Sequence, residues 1–296
     1  MHKSCVDGVY DLVAAEDPLP LIFDSPHSGT QYPDDFDYAC DRADLERTAD
    51  LYVDDLFSNA PDMGGCLLSA QFPRCYLDLN RARDDIDPEI YDGDWPYKDM
   101  PANPTNRSYA GIGLIRRLVR PGEPVYGAYL SPEAIKSRIE TYFEPYHAVL
   151  GTIIDGAHYR YGQVWHLNCH SMPSPERTSG ALSRVNPVLA PDFVLGDRDG
   201  TTCDIGFTHA VRDFIKSLGY KVAINDPYKG VELVERYSDP ARGRHSLQIE
   251  ISRALYMDEE TGEKSKNYKN LKADITKLIQ FCVDYAQSNL TQIAAD

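Results

Sequence analysis

Gln163-Val164-Trp165-His166-Leu167-Asn168-Cys169-His170-Ser171-Met172 is the stretch from which the rest of the chain is read. Val164, Trp165 and Leu167 suit a buried strand. His170 and Ser171 fall where that strand should end. The Pro173-Ser174-Pro175 run that follows stops further pairing, because proline removes a ladder donor. In open α/β sheets the ligand crevice lies at the carboxyl ends of the strands, so a His-Ser pair at such an end marks a place for chemistry. Cys169 should point to the opposite face from His170, which reads as packing rather than as a ligand or nucleophile.

Moving outward, Pro20-Leu21-Ile22-Phe23-Asp24 is a second short apolar run. It leads into Ser25-Pro26-His27-Ser28-Gly29-Thr30, another strand-to-loop transition carrying His-Ser, where Gly29 permits a tight backbone path. Arg42 to Ser58 has helical spacing of apolar residues, which places Asp50 and Asp54 one turn apart on one face, with Arg47 or a metal ion to relieve their repulsion. Gly65 to Ala70 reads as a strand, and Asp84 to Pro104, rich in Asp, Pro, Gly and Tyr, as a long surface loop. Ser131-Pro132 opens a helix as N-cap and first helical residue, and Pro145 should kink or interrupt it. His147, just beyond, reads as packed helix surface, with a metal-site role as the weaker reading. A strand within Asp192 to Thr201 that ends in an acidic, glycine-containing turn, a helix from about Asp204 to Leu218 stopped by Gly219, and a strand from Tyr220 to Asn225 make a parallel crossover, hence an α/β fold. Ser246 to Arg253 alternates strictly, with Gln248, Glu250 and Ser252 on one face. Lys264 to Ser288 is an amphipathic helix.

The 296 residues, 42% of them hydrophobic, are enough for a sizeable core, and no linker or repeat divides them, so a single domain over 1–296 is expected. The net charge of −16 argues against nucleic acid or an anionic membrane as partner, although a few local arginines can still hold a small anionic substrate. The amino terminus lacks the apolar run of a secretory signal, and no run approaches a membrane span. Seven scattered cysteines without a CxxC pair read as reduced, mostly buried thiols of a cytoplasmic protein. Nothing in the sequence indicates an oligomeric state.

Two strand-end histidines, His27 and His170, carboxylates on an early segment, a dense group of Arg74, Asn80, Arg81 and Arg83, and a late-strand Glu250 form the inventory of a mononuclear zinc hydrolase: three protein ligands, an open position and a separate carboxylate base. Arginine binds carboxylates bidentately. Asp78, Asp84, Asp85 and Asp87 are the structural partners that some of these arginines should take.

The segments Ser25-Pro26-His27-Ser28-Gly29, Arg47-Thr48-Ala49-Asp50-Leu51-Tyr52-Val53-Asp54, Asp78-Leu79-Asn80-Arg81, Asn168-Cys169-His170-Ser171-Met172 and Gln248 to Met257 resemble, in order, the N-formylglutamate amidohydrolase family. The resemblance spans about residues 20 to 280. It implies a fold similar to the zinc carboxypeptidases, a three-layer arrangement of a mixed, mostly parallel sheet with helices on both faces. It also implies one Zn2+ per chain, or another divalent ion in its place, and hydrolysis of a small anionic N-acyl amino acid, N-formyl-L-glutamate foremost, in histidine degradation. His27 and His170 look like the zinc histidines. Carboxypeptidase-like relatives carry a ligating glutamate three residues after the first histidine. Thr30 stands there in this chain, so Asp50 is the choice for the third ligand, with Asp54 and Glu46 as alternatives. Glu250 resembles the glutamate that activates the water on the zinc. Asn80 and Arg81 resemble the substrate-carboxylate clamp, and Arg74 adds to that clamp or polarises the scissile carbonyl. A second carboxylate on the substrate calls for a second cation, from among Arg116, Arg117, Arg244 and Arg253, with Arg253 expected to bind substrate. The family commonly has Asp two residues before the second histidine, where this chain has Asn168.

Two rivals stand beside this reading. One is a hydrolase of another N-acyl amino acid or a short peptide. The other, motivated by Asn168 and Thr30, is a non-catalytic ligand-binding relative that kept the fold.

Overall fold

The structure is a computed structural model, and it describes residues 1–174 and 190–293. Pro175, the last residue of the expected strand stop, lies outside them. The strands are β1 (His2–Val6), β2 (Tyr10–Ala14), β3 (Leu21–Ser25), β4 (Cys66–Ala70), β5 (Leu118–Arg120), β6 (Glu123–Pro124), β7 (Val164–Met172), β8 (Phe193–Gly196), β9 (Val222–Ile224) and β10 (Arg244–Ser252). The helices are α1 (Arg42–Glu46), α2 (Val53–Leu56), α3 (Asn106–Tyr109), α4 (Pro132–Arg138), α5 (Glu144–Tyr161), α6 (Ile205–Ser217), α7 (Glu232–Arg236) and α8 (Tyr268–Ile293).

Among the described residues the main sheet has eight strands in the order β1-β2-β4-β3-β7-β10-β8-β9. The pairs β4-β3, β3-β7, β7-β10 and β8-β9 are parallel, while β1-β2, β2-β4 and β10-β8 are antiparallel. This is the mixed, mostly parallel sheet that was expected. The crossover from β8 through α6 to β9 is the parallel unit read from the sequence. The β1-β2 hairpin was not foreseen, because β1 is an exposed edge strand and shows no alternation of apolar and polar residues.

Alternation in the two central strands sorts the layers. Trp165, Leu167 and Cys169 of β7, with Leu247, Ile249 and Ile251 of β10, join one core under α2, α6 and α8. Leu271, Ile275, Leu278 and Ile279 supply the α8 side of that core, each contributing about 1.5–3 kcal/mol relative to exposure. The opposite sheet face is covered by α4, α5 and the chain between residues 72 and 126. At the middle of that face stand Asp24, His166, Asn168, His170, Gln248 and Glu250, buried polar groups in register: Asp24 beside Asn168, Asn168 beside Gln248, His170 beside Glu250.

Two expectations need correction or refinement. Arg42 to Ser58 is two short helices rather than one. The Asp50 N–H donates to the His27 carbonyl at 3.0 Å instead of continuing a helix, and Tyr52 turns the chain left-handed at φ 66°. Asp50 and Asp54 therefore do not share a helix face, and Arg47 pairs with Asp44 rather than relieving Asp50. The stretch from Asp84 to Pro104 is the irregular, largely exposed loop that was expected, but it is pinned to the molecule because Asp85, Ile86, Asp87, Ile90 and Met100 are buried. Its carboxylates make this possible. Asp85 accepts from the Thr105 N–H and the Ser108 hydroxyl, and Asp87 accepts from Arg117 at 2.6 Å. Near Pro145 the expected interruption of the helix takes the form of a π turn over Ile139–Phe143 between α4 and α5. The wider turn accommodates a ring that offers no N–H.

Candidate metal centre

β3, β7 and β10 run parallel and end side by side, and their carboxyl ends carry the site. His27 follows β3, and the turn that holds it presses against Gln71 and Phe72 so closely that a Cβ on Gly29 would collide with their backbone. The Ser28 hydroxyl ties this turn to the next segment by donating to the Asp50 carbonyl at 2.9 Å and accepting the Asp54 N–H at 3.2 Å. Asp50 is thereby brought from the α1–α2 connection to a position above His27 and His170.

The side chains of His27, Asp50 and His170 are all buried, and one ligand atom from each lies within 4.8 Å of the others. Among the described residues this is the His/Cys/Asp/Glu group so arranged. His27 Nε2 lies 2.7 Å from Asp78 Oδ1. A carboxylate only accepts, so Nε2 carries the proton and Nδ1 keeps its lone pair. Nδ1 faces Asp50 Oδ2 at 3.4 Å, and although buried it has no hydrogen-bond partner. His170 Nδ1 faces the same Asp50 oxygen at 3.1 Å, while its Nε2 lies 2.7 Å from Asn168 Oδ1. Burial lowers the His170 pKa below the usual histidine value, with His27 and Arg74 adding to the shift against Asp50, so the ring carries one proton at neutral pH. Two ring nitrogens and a carboxylate oxygen thus converge with no proton of their own, a donor set that suits a divalent cation of the zinc class.

Asp50 remains an anion here. Burial opposes its charge, but the two neighbouring imidazoles and the nearby Arg74 and Arg253 hold its pKa well below the usual carboxylate range. Its second oxygen accepts from Arg253 Nη2 at 2.8 Å and faces Arg74 Nη1 at 3.8 Å. The alternative carboxylates lie elsewhere: Glu46 pairs with Arg42 on the surface, and Thr30 is exposed. Asp54 has its pKa raised by burial and lies outside the His–Asp–His group.

Glu250 stands beside His170 in register. It accepts from Gln248 Nε2 at 2.9 Å. Burial, reinforced by the charge on Asp50 and opposed by Arg74 and Arg253, pushes its pKa up to about 8. The half-exposed strand that β10 offered as a plain reading is thus excluded, since Gln248 is 2% and Glu250 8% exposed. Tyr228, from the β9–α7 loop, sits close enough for Glu250 to help burial raise its pKa to about 12. No sequence signal had singled it out.

The arginines divide. Arg74 donates to Asp78 Oδ2 at 2.7 Å and leaves its buried Nε without a partner. Arg81 donates to the Asn80 and Ile112 carbonyls and keeps Nη2 only 3.8 Å from Asp78. Asn80 Oδ1 accepts from the Leu233 N–H at 2.9 Å. Its Nδ2, 3.2 Å from His170 Nε2, cannot donate to that nitrogen while it is protonated, and so remains an available donor. Arg83 pairs with Glu144, Arg117 with Asp87 and Glu89, and Arg244 with Asp155. Each of the three guanidinium nitrogens of Arg253 makes one hydrogen bond, to the Ser171 hydroxyl, the Arg47 carbonyl and Asp50. Arg116 forms no ion pair among the described residues. It donates only a long 3.5 Å bond to the Leu118 carbonyl, and burial together with Arg74 and Arg81 draws its pKa down to about 10 against Asp78. His147 lies away from this group, bonded to the Leu79 carbonyl at 3.0 Å and to Tyr237. Burial lowers its pKa to about 3, as suits a packed neutral ring. Cys169 lies on the opposite face, inside the apolar core.

A family model described as N-formylglutamate amidohydrolase matches residues 19–257. The chain is 28% identical over 247 residues to an N-formylglutamate deformylase of Pseudomonas putida, covering 81% of this chain and 83% of that protein. It is 25% identical over 248 residues to an N-formylglutamate deformylase of Pseudomonas aeruginosa, covering 82% and 84%. The crystal structure of an N-formylglutamate amidohydrolase from Ralstonia eutropha JMP134 aligns with a TM-score of 0.89 at 44% identity, covering 95% of this chain and 99% of that one. A gene product of Agrobacterium tumefaciens shares the fold at a TM-score of 0.61 and 16% identity, over 96% of each chain. Among the described residues no helix is long and apolar enough to cross a membrane.

Proposed function

The chain belongs to the N-formylglutamate amidohydrolase family, and we propose that it hydrolyses the amide of a small N-acyl amino acid, N-formyl-L-glutamate foremost, to L-glutamate and formate. The observation that carries this reading is the convergence of His27 Nδ1, His170 Nδ1 and Asp50 Oδ2, with the far nitrogens of both rings already occupied by Asp78 and Asn168. These three residues would hold Zn2+ or another divalent ion. Such an ion supplies a Lewis acid that polarises the amide carbonyl and lowers the pKa of water to about 7.

The chain's own groups do the rest. Glu250 takes the proton of the attacking water and delivers it to the departing amino nitrogen. The water oxygen joins the formyl carbon, the C–N bond breaks, and the remaining water proton passes to the freed amine as formate leaves. Glu250 ionises more readily once the negative charge on Asp50 is balanced, because that charge helps hold its pKa up. Asn80 Nδ2 and Arg81 Nη2 grip the α-carboxylate, and the unpartnered Nε of Arg74 reaches toward the scissile carbonyl. We assign the second carboxylate to Arg116, which forms no ion pair among the described residues although it lies near Arg74 and Arg81. Arg253 orients Asp50 instead of touching substrate. The chemistry supports a small anionic substrate as the partner.

The test is elemental analysis of the purified chain and of His170→Ala, with formate release from N-formylglutamate assayed on the same samples. About one ion per chain, lost together with activity in the variant, is the expected result. Wild-type protein that takes up no divalent ion even when zinc is offered would overturn the hydrolase reading in favour of a ligand-binding relative. Metal without formate release would move the substrate to another N-acyl amino acid or a short peptide.

A further inference from the structure

Asp24 ends the apolar run of β3 and is fully buried. Its carboxylate collects three donors. His166 Nε2 at 2.9 Å and Asn168 Nδ2 at 2.8 Å meet Oδ1, and the Tyr146 hydroxyl at 3.0 Å meets Oδ2. Burial opposes the charge, but His166 and Asn168 keep the pKa below the usual value, so the group is an anion at neutral pH. His166 is held in turn by the Ser246 hydroxyl at 3.0 Å.

The consequence passes through Asn168. An amide has a donor end and an acceptor end, and a carboxylate accepts only. With Nδ2 committed to Asp24, Oδ1 must point the other way, and it lies 2.7 Å from His170 Nε2. An oxygen there requires a proton on that nitrogen. We infer that Asp24 is a positioning residue for the metal centre: through the Asn168 amide it fixes the proton of His170 on Nε2 and so frees Nδ1 to bind the ion. His27 receives the same orientation directly from Asp78. On the His170 side the carboxylate stands one residue further out, with a neutral amide between, and this accounts for an Asn at position 168. Groups that orient metal-bound histidines typically change metal affinity tenfold to a hundredfold when altered.

This rests on the metal-centre reading, and two readouts keep the two apart. Zinc affinity is measured by chelator competition on wild type, Asp24→Asn, and the exchange variant Asp24→Asn/Asn168→Asp, which moves the carboxylate next to His170 without changing the net charge. Asp24→Asn should bind about 10–100-fold more weakly, and the exchange variant should return close to the wild-type value. Nitrogen-15 resonances of His170 in the metal-free protein give the second readout. A single Nε2-protonated form is expected in wild type and the exchange variant, and a mixture in Asp24→Asn. Undiminished affinity in folded Asp24→Asn, or an exchange variant no better than the single one, would overturn the inference. If Asp24→Asn fails to fold, the exchange variant decides alone: wild-type affinity supports the relay and weak binding refutes it. If wild type binds no ion, the metal reading falls, and the nitrogen resonances still decide whether Asp24 sets the proton of His170.

Discussion

Asp78 accepts the Nε2 proton of His27 at 2.7 Å, and the opposite nitrogen of that ring faces Asp50 at 3.4 Å with no hydrogen bond. A buried carboxylate against a buried lone pair is an unfavourable pairing unless a cation lies between them. Asp78 is itself held as an anion: burial opposes its charge, but Arg74, His27 and Arg81 lower its pKa well below the usual range. Asp78→Asn puts an amide in its place that can either donate or accept, so the proton of His27 is no longer fixed. Zinc affinity is expected to fall about 10–100-fold, as read by chelator competition. Unchanged affinity in a folded variant would show that Asp78 serves Arg74 and not the site.

Metal removal should cost stability, because the ion binds the folded arrangement of three residues that are far apart in sequence. At a hundredfold excess of ion over Kd the gain is about 2.7 kcal/mol, a rise of several degrees in Tm for a chain of this size. Zinc titrated into chelated wild type should raise Tm, and the same titration on His27→Ala should not. Equal shifts in both proteins would place the bound ion elsewhere.

Glu250 offers a separation of roles. Glu250→Gln should retain the ion and lose turnover by about 10²–10⁴-fold, as seen by metal analysis beside formate release. Full turnover in the variant would remove Glu250 as the base. The raised pKa, about 8 in the metal-free chain, also has a sign. The unfolded chain ionises this carboxyl first, so its contribution to stability is complete below the ordinary glutamate range and is lost as pH rises toward 8. Urea unfolding of chelated wild type should therefore show stability declining over that window more steeply than in Glu250→Gln. Parallel pH profiles would contradict the burial and the Asp50 charge that raise the pKa.

Much of this site could be read from the chain because strand alternation and short motifs are local properties. β7 and β10 declared their apolar and polar faces, His27 and His170 fell at strand ends, Glu250 fell on the polar face of an alternating strand, and Asp50 lay in a short motif of the family. Asp24 did not stand out. In sequence it is only the polar residue that closes Leu21-Ile22-Phe23, and its role exists through its register beside Asn168 and through Tyr146 arriving from α5. A carboxylate at the end of a fully buried run is the signal that could have flagged it. The break at Tyr52 was hidden for a similar reason. Local spacing favoured a helix, and a long-range bond from Asp50 to the His27 carbonyl prevailed. The stretch from Asp84 to Pro104 looked solvated because its aspartates are polar, yet Asp85 and Asp87 are buried by the donors they bind. Tyr228 reaches Glu250 from a loop whose path no periodicity reveals.

The arginines give the last prediction. Of the four cations considered for a second substrate carboxylate, Arg117, Arg244 and Arg253 are paired with aspartates of this chain. Among the described residues Arg116 is not, and its pKa of about 10 reflects burial next to Arg74 and Arg81. An anion arriving there would relieve that repulsion and stabilise the charged guanidinium. Arg116→Gln should accordingly lower kcat/KM for N-formylglutamate by about 10–100-fold, the loss of one charge-assisted contact, mostly through KM. An N-formyl amino acid with an apolar side chain has no second carboxylate to lose, so its smaller kcat/KM should change little. Steady-state kinetics with both substrates on both proteins make the comparison. Equal losses on the two substrates would assign Arg116 to the α-carboxylate or to the fold of the 112–116 segment, and no loss on either would exclude it from the site.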